Sequence, residues 1–142
     1  MKRHPSLQPL SDDHHRALVL ARRLRRASSG PDSTDAEALS REVQQQFETE
    51  LDPHFRVEES WLLPALHAKG AAELAEQTAV DHARLRDLVR SVWSGDTAEQ
   101  LGTLLEKHVR FEERVLFPKA EALLSETELA SVREAAVKPG KF

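Results

Sequence analysis

Apolar residues recur along this chain every three or four positions, the period of helices that bury one face. The stripe Ala17, Leu20, Ala21, Leu24 belongs to a first helix over about 12–28, with Ser11 as its N-cap. A second opens at Thr34, with Glu37 at capping-box spacing, and runs to about 66 through Pro53 and Pro64. A proline inside a helix removes one backbone hydrogen bond and kinks or locally widens the turn. The third helix spans about 71–93. The fourth starts after Asp96, with Glu99 three residues on, and reaches about 124. A short fifth, about 126–137, follows Ser125, again with a glutamate (Glu128) at the capping-box spacing. Gly30, Gly70 and Gly95 divide the chain into four helix-sized pieces, and strands have almost no support because isoleucine is absent and Val/Thr alternation is scarce. Helices joined by short loops are antiparallel neighbours. The expected fold is therefore all-α: an antiparallel up-down-up-down four-helix bundle with a short C-terminal fifth helix, in a single domain 1–142 whose bundle core is about 11–124.

Composition narrows the chemistry. The chain has 142 residues, with 24 acidic against 20 basic and a formal net charge of -4. That suffices for one buried core, and a mildly acidic balance argues against nucleic acid as a partner. Cysteine is absent, which removes disulfides, thiolate zinc sites, iron–sulfur clusters and cysteine nucleophiles. Tyrosine is absent too. No apolar run has the length of a signal peptide or a membrane span, so the expectation is a cytoplasmic protein with no membrane partner.

Two internal repeats carry the chemistry. The second and fourth helices contain His54-Phe-Arg-Val-Glu58-Glu59-Ser-Trp-Leu-Leu-Pro64 and His108-Val-Arg-Phe-Glu112-Glu113-Arg-Val-Leu-Phe-Pro118, both reading H-x-R-x-E-E-x-x-L-x-P. The first and third share a fainter pattern, Asp13-His14 and Asp81-His82, each followed by apolar residues at +3, +6, +7 and +10. The chain reads as two similar helical hairpins packed about a pseudo-two-fold axis. Residues four apart share a helix face, so His54 projects with Glu58 and His108 with Glu112. Glu59 and Glu113 turn away and suit hydrogen bonds to imidazole rings. His14 and His82 lie on their apolar stripes.

Four histidines and two glutamates are thereby aimed at one level of the bundle. Burying them without partners would be costly, and metal cations resolve that cost. Imidazole and carboxylate together suit iron, manganese or zinc. The count points to two ions, each on two histidines, with Glu58 and Glu112 bridging and room left for solvent, an oxo bridge, dioxygen or peroxide.

At these residues the sequence resembles the hemerythrin-like (HHE cation-binding) family, from about His14 to Pro118. The resemblance implies a four-helix bundle with a non-haem di-iron centre, two oxo- or hydroxo-bridged iron ions per chain. By position it makes His14, His54, Glu58, His82, His108 and Glu112 the ligands. Oxygen carriers of the family have a third-helix H-x-x-x-H pair where this chain has Arg86, and a fourth-helix aspartate five residues after the histidine where it has Glu113. Those departures favour a centre that reacts with peroxide or nitric oxide, or senses iron, over simple oxygen carriage. The leading expectation is a di-iron protein that binds dioxygen or reacts with peroxide or nitric oxide. The second expectation is a non-enzymatic iron or redox sensor acting through metal-dependent protein contacts, by way of the fifth helix. The first-helix ligand is either His14 or His15. The apolar positions after it select His14, because His15 shares its stripe with Arg22, Arg25 and Arg26. Trp61, Leu62 and Phe117 read as core, His4 and His67 as surface, and the arginines at 22, 23, 25 and 26 as a solvated face.

Overall fold

The computed structural model describes residues 2–27, 33–91 and 95–137. Among the described residues there are five helices: α1 (Gln8–Ala27), α2 (33–68), α3 (Ala72–Arg90), α4 (95–123) and α5 (Glu126–Val137). No strand occurs among the described residues, and no helix among them is long and apolar enough to cross a membrane. The helices form the antiparallel bundle, with α1 packed chiefly on α4 and α5 laid against α1 and α2.

Boundaries differ from the sequence reading where long-range contacts intervene. Helix α1 starts at Gln8, so Ser11 is not its cap. Ser11 sits inside the helix and donates its hydroxyl to Glu113 Oε2 at 2.7 Å. Helix α4 is already formed at Gly95, which puts Asp96 in its first turn. Helix α2 is already formed at Ser33, one residue before the expected start at Thr34. The end of the third helix at 93 and the divider Gly30 lie outside the described residues. The capping box of α5 is complete: Glu128 N–H donates to Ser125 Oγ (3.1 Å) and Ser125 N–H to Glu128 Oε1 (2.8 Å).

Proline shapes α2 and α4 in one recurring way. Three five-residue π-helical segments, Phe47–Leu51, Glu58–Leu62 and Glu112–Leu116, each end two residues before Pro53, Pro64 or Pro118. The pyrrolidine ring would collide with the carbonyl four residues back and donates nothing to it. One extra residue in the turn removes both problems, and Asp52, Leu63 and Phe117 accordingly donate to the carbonyls five residues back. The helices thus pass through their prolines without breaking, and two of the widened turns begin at Glu58 and Glu112.

Two glycines are required by geometry. Gly70, at φ 91, closes α2: its N–H reaches His67 O and the Ala71 N–H reaches Leu66 O, the Schellman pair. At Gly102 a Cβ would stand 2.8 Å from the Ala21 carbonyl oxygen and 2.8 Å from Arg25 Cγ, because α1 and α4 cross there almost backbone to backbone. Gly102→Val is therefore expected to destabilise the protein by about 1–3 kcal/mol through overpacking, read as a lower thermal midpoint. An unchanged midpoint would show that the crossing can open freely.

The apolar core is divided. One cluster, with Leu10, Val57, Leu62, Leu66, Leu116 and Phe117, extends to Leu129 and Val132 of α5. The other gathers Leu20, Leu24, Phe55, Leu85, Leu101 and Leu105 toward the opposite end. Leu62 and Phe117 are core, whereas Trp61 is 48% exposed on the outside of α2, because it falls off the buried face that Glu58 and Leu62 occupy. Arg22, Arg23, Arg25 and Arg26 are exposed, with Arg23 paired to Glu42 and Arg25 to Glu106. Between the two clusters runs a layer of buried polar side chains.

Candidate metal centre

That layer contains His14 from α1, His54 and Glu58 from α2, His82 from α3, and His108 and Glu112 from α4, every one buried and both glutamates at 0% exposure. One turn of each helix separates its apolar contacts on the two sides, and the polar residue at that level has only the other three helices to face. All six residues expected from the sequence come together. His15, the alternative on α1, is exposed. His67 is exposed, and His4 is a half-buried surface residue whose Nε2 lies 3.2 Å from Glu126 Oε1.

The six form two groups that share both glutamates: His14, His54, Glu58, Glu112 and Glu58, His82, His108, Glu112. Each carboxylate turns one oxygen to each histidine pair. Glu58 Oε2 lies 3.1 Å from His54 Nε2 and its Oε1 3.0 Å from His82 Nε2. Glu112 Oε1 lies 2.7 Å from His14 Nε2 and its Oε2 3.0 Å from His108 Nε2. The two histidine pairs match, with ring centroids 5.0 Å apart in both.

Every imidazole is gripped at its far nitrogen. His14 Nδ1 lies 2.6 Å from Glu113 Oε2, His54 Nδ1 2.9 Å from Asp13 Oδ2, His82 Nδ1 2.7 Å from Glu59 Oε2, and His108 Nδ1 3.2 Å from Asp81 Oδ2. The pseudo-two-fold axis relates the first contact to the third and the second to the fourth. A carboxylate on Nδ1 holds the proton there and leaves the Nε2 lone pair pointing inward, the orientation a metal-ligating imidazole needs. The roles of Asp13 and Asp81 were missed in the sequence, although the repeated Asp-His pair was the signal. Glu59 and Glu113 hold rings as their outward position suggested.

Electrostatics follow from this crowding of carboxylates. Burial pulls His82 down, but Glu112, Glu58 and Glu59 outweigh it and push the imidazole up to about 10. Burial likewise opposes His108, which Glu112 and Asp81 raise to about 9. His54 stands well above its ordinary value, against burial and under the pull of Glu58, Asp13 and Glu112. Burial works to raise Glu112, yet His108, His14 and His54 hold it well below the usual carboxylate range. Glu59 and Glu113 lie at about 2, burial again outweighed, by His82 with Arg86 and by His14 with Ser11.

The donor set fits metal ions. His54 Nε2, His82 Nε2, His108 Nε2, both oxygens of Glu58 and Glu112 Oε2 are buried without a hydrogen-bond partner. Orphaned buried polar atoms cost about 1–3 kcal/mol each, so six in one layer demand an occupant. Neighbouring ligand atoms on a common ion with bonds of about 2.1 Å stand about 3 Å apart, the spacing found between these nitrogens and oxygens. Six carboxylates face the four rings at close range, which suits a pair of divalent cations with neutral imidazoles.

A helical bundle with buried His/Glu clusters able to hold metal ions is a cation-binding domain. The chain belongs to the hemerythrin HHE cation binding domain family, which it matches over residues 7–120. No curated protein and no solved structure matches the chain significantly.

Proposed function

We propose that the centre holds two iron ions and binds dioxygen or reacts with peroxide or nitric oxide. The observation that carries this reading is the sharing of Glu58 and Glu112 between two histidine pairs, one oxygen to each side. His14 and His54 would hold one ion and His82 and His108 the other, with the two carboxylates as bridges. Bound iron would supply one-electron redox chemistry and open coordination positions for a small oxidant. Each group offers four protein donors, fewer than an octahedral ion takes, so the protein leaves positions for an external ligand. Zinc and manganese suit the same donors.

The protein's own part is to orient donors and keep water away. Asp13, Glu59, Asp81 and Glu113 fix the rings. Phe55 lies flat on His82 (centroids 4.0 Å, planes 13° apart) and edge-on to His108, and Phe117 is stacked on His14. Beyond Phe55, Leu20, Leu51, Leu85, Leu101 and Leu105 pack as an apolar cluster that closes this side of the layer.

The test is anaerobic loading of the metal-free protein with iron(II), then exposure to dioxygen, peroxide and nitric oxide in turn. Two irons per chain and an optical change with at least one of the three support the proposal. A chain that takes up zinc only, with no optical change on any exposure, overturns it. Sensing is the second reading, favoured by the N-terminal segment, which reaches Glu113 through Arg3 and Glu121 through the His4 N–H, and is tied to α5 where Arg133 donates to the Pro5 carbonyl. It predicts little turnover and a metal-dependent release of the N-terminal segment and α5, read by hydrogen exchange of the metal-free and metal-loaded chain.

A further inference from the structure

Two arginines outside the ligand set occupy matching places. Arg3 donates to Glu113 Oε1 (3.2 Å) and to the Glu113 carbonyl (2.8 Å), and its guanidinium lies 5.4 Å from the Phe117 ring centroid. Glu113 is the carboxylate on His14 Nδ1, and Phe117 is the ring stacked on His14 with centroids 5.3 Å apart and planes within 9°. Arg86 donates to both oxygens of Glu59 (2.8 and 3.1 Å) and lies 5.6 Å from the Phe55 centroid. Glu59 is the carboxylate on His82 Nδ1, and Phe55 is the ring on His82. Each arginine therefore grips one imidazole twice, through a carboxylate in the ring plane and through an aromatic ring on the ring face.

The match is one of geometry and not of sequence. Arg86 is part of α3, whereas Arg3 comes from the segment before α1, and the two phenylalanines occupy different places in the repeat. The N-terminal segment is held in place from α4 and α5: His4 N–H donates to Glu121 Oε2 (2.6 Å), Arg3 Nη1 lies 3.1 Å from Glu121 Oε1, and Arg133 donates to the Pro5 carbonyl (3.0 Å).

We propose that Arg3 and Arg86 are positioning residues, each setting the affinity of one of the two metal ions. Arg3 acts on the ion of His14 and His54, and Arg86 on the ion of His82 and His108; the inference rests on the two-ion reading above. Arg86 fixes its carboxylate by two parallel charge-assisted hydrogen bonds, and Arg3 by one to the Glu113 carboxylate and one to the carbonyl of the same residue; each limits the carboxylate's freedom to swing off Nδ1. The cation over the phenylalanine face steadies the ring that covers the imidazole. Because Arg3 reaches its place only when residues 3–5 lie against α4 and α5, the affinity of one ion depends on that docking. The other ion depends on the bundle alone.

The experiment is iron(II) titration of the full-length metal-free chain under anaerobic conditions against a competing chelator, in Arg3→Ala, Arg86→Ala, Glu113→Gln and Glu59→Gln and their pairwise combinations. The wild type takes up two ions. Arg3→Ala weakens one ion about tenfold, in the range seen when outer partners of a ligand are lost, and leaves the other unchanged. Arg3→Ala adds no further loss in Glu113→Gln and its full loss in Glu59→Gln, with the reverse pattern for Arg86→Ala. Nitrogen NMR of the metal-free protein gives a readout that does not need bound ions: Arg3→Ala shifts the ring nitrogens of His14 and leaves those of His82 in place. Two ions weakened equally, or neither weakened, by Arg3→Ala overturns the positioning role while leaving the two-ion centre intact. A wild-type chain that takes up no iron overturns both.

Discussion

Glu58→Ala and Glu112→Ala are each expected to lose both metal ions, whereas His14→Ala loses one. Each glutamate sends one oxygen to each histidine pair, so removing it strips a donor from both groups at once. Removing His14 strips a donor only from the group that also contains His54. The glutamate variants carry a second cost. Both carboxylates are fully buried, and deleting one charge from a buried ionic cluster leaves the others uncompensated, at about 3–5 kcal/mol. Metal content per chain after dialysis measures the first effect, and thermal unfolding of the metal-free variants the second. Retention of two ions by Glu58→Ala would end the bridging assignment. Glu59→Ala is a milder change, because Glu59 orients His82 and touches no ion itself.

Stripping the metal from the wild type is expected to lower its thermal midpoint by more than about 10 °C. A ligand present at a hundred times its dissociation constant stabilises the folded state by about 2.7 kcal/mol, and two such ions by about twice that. At this chain length each kcal/mol moves the midpoint by about 2–4 °C. The difference should widen as pH rises. In the metal-free protein His82 and His108 stand at about 10 and about 9, above their ordinary value of 6.5. Groups raised on folding stabilise the folded state fully below the unfolded value and lose that contribution as pH climbs through the folded one. The metal-free clusters are thus best held below about pH 6.5 and lose support toward pH 9 to 10. Metal binding needs neutral imidazoles, so it releases protons and strengthens over the same interval. Melting curves with and without chelator at several pH values measure the difference. Coincident curves throughout would mean that ions contribute nothing to the folded state.

The local half of the centre is legible in the sequence. His54 with Glu58 and His108 with Glu112 follow from a helix period of 3.6 residues, which holds wherever the helix lies. The apolar positions after His14 separated it from His15 by the same period. Pro53 and Pro64 announced a local kink or widening of the second helix, and the π-helical segments before them are that widening; Pro118 repeats it in α4. The capping box at Ser125 and Glu128 is likewise a short-range bond between residues three apart.

What escaped the sequence lies across the chain. Ser11 is of a type that caps helices but bonds to Glu113, and the helix starts at Gln8, where Leu7 and Leu10 already pack in the core. Trp61 looked like core because it is large and apolar, yet the buried face of α2 passes it by. Asp13 and Asp81 lie next to His14 and His82 in sequence, but each serves a histidine on a different helix. Arg3 and Glu113 are 110 positions apart.

The sequence by itself determined which residues share a helix face, where the helices widen, and that four imidazoles and two carboxylates lie at corresponding levels. Those are properties of rise, period and backbone chemistry within a few residues. Only the tertiary structure decided how each carboxylate divides its oxygens between two histidine pairs, which acid holds which ring, and that Arg3 of the N-terminal segment reaches Glu113. These depend on the rotation and depth at which helices pack. Neighbouring side chains from different helices meet through that packing, and no periodicity along the chain encodes it.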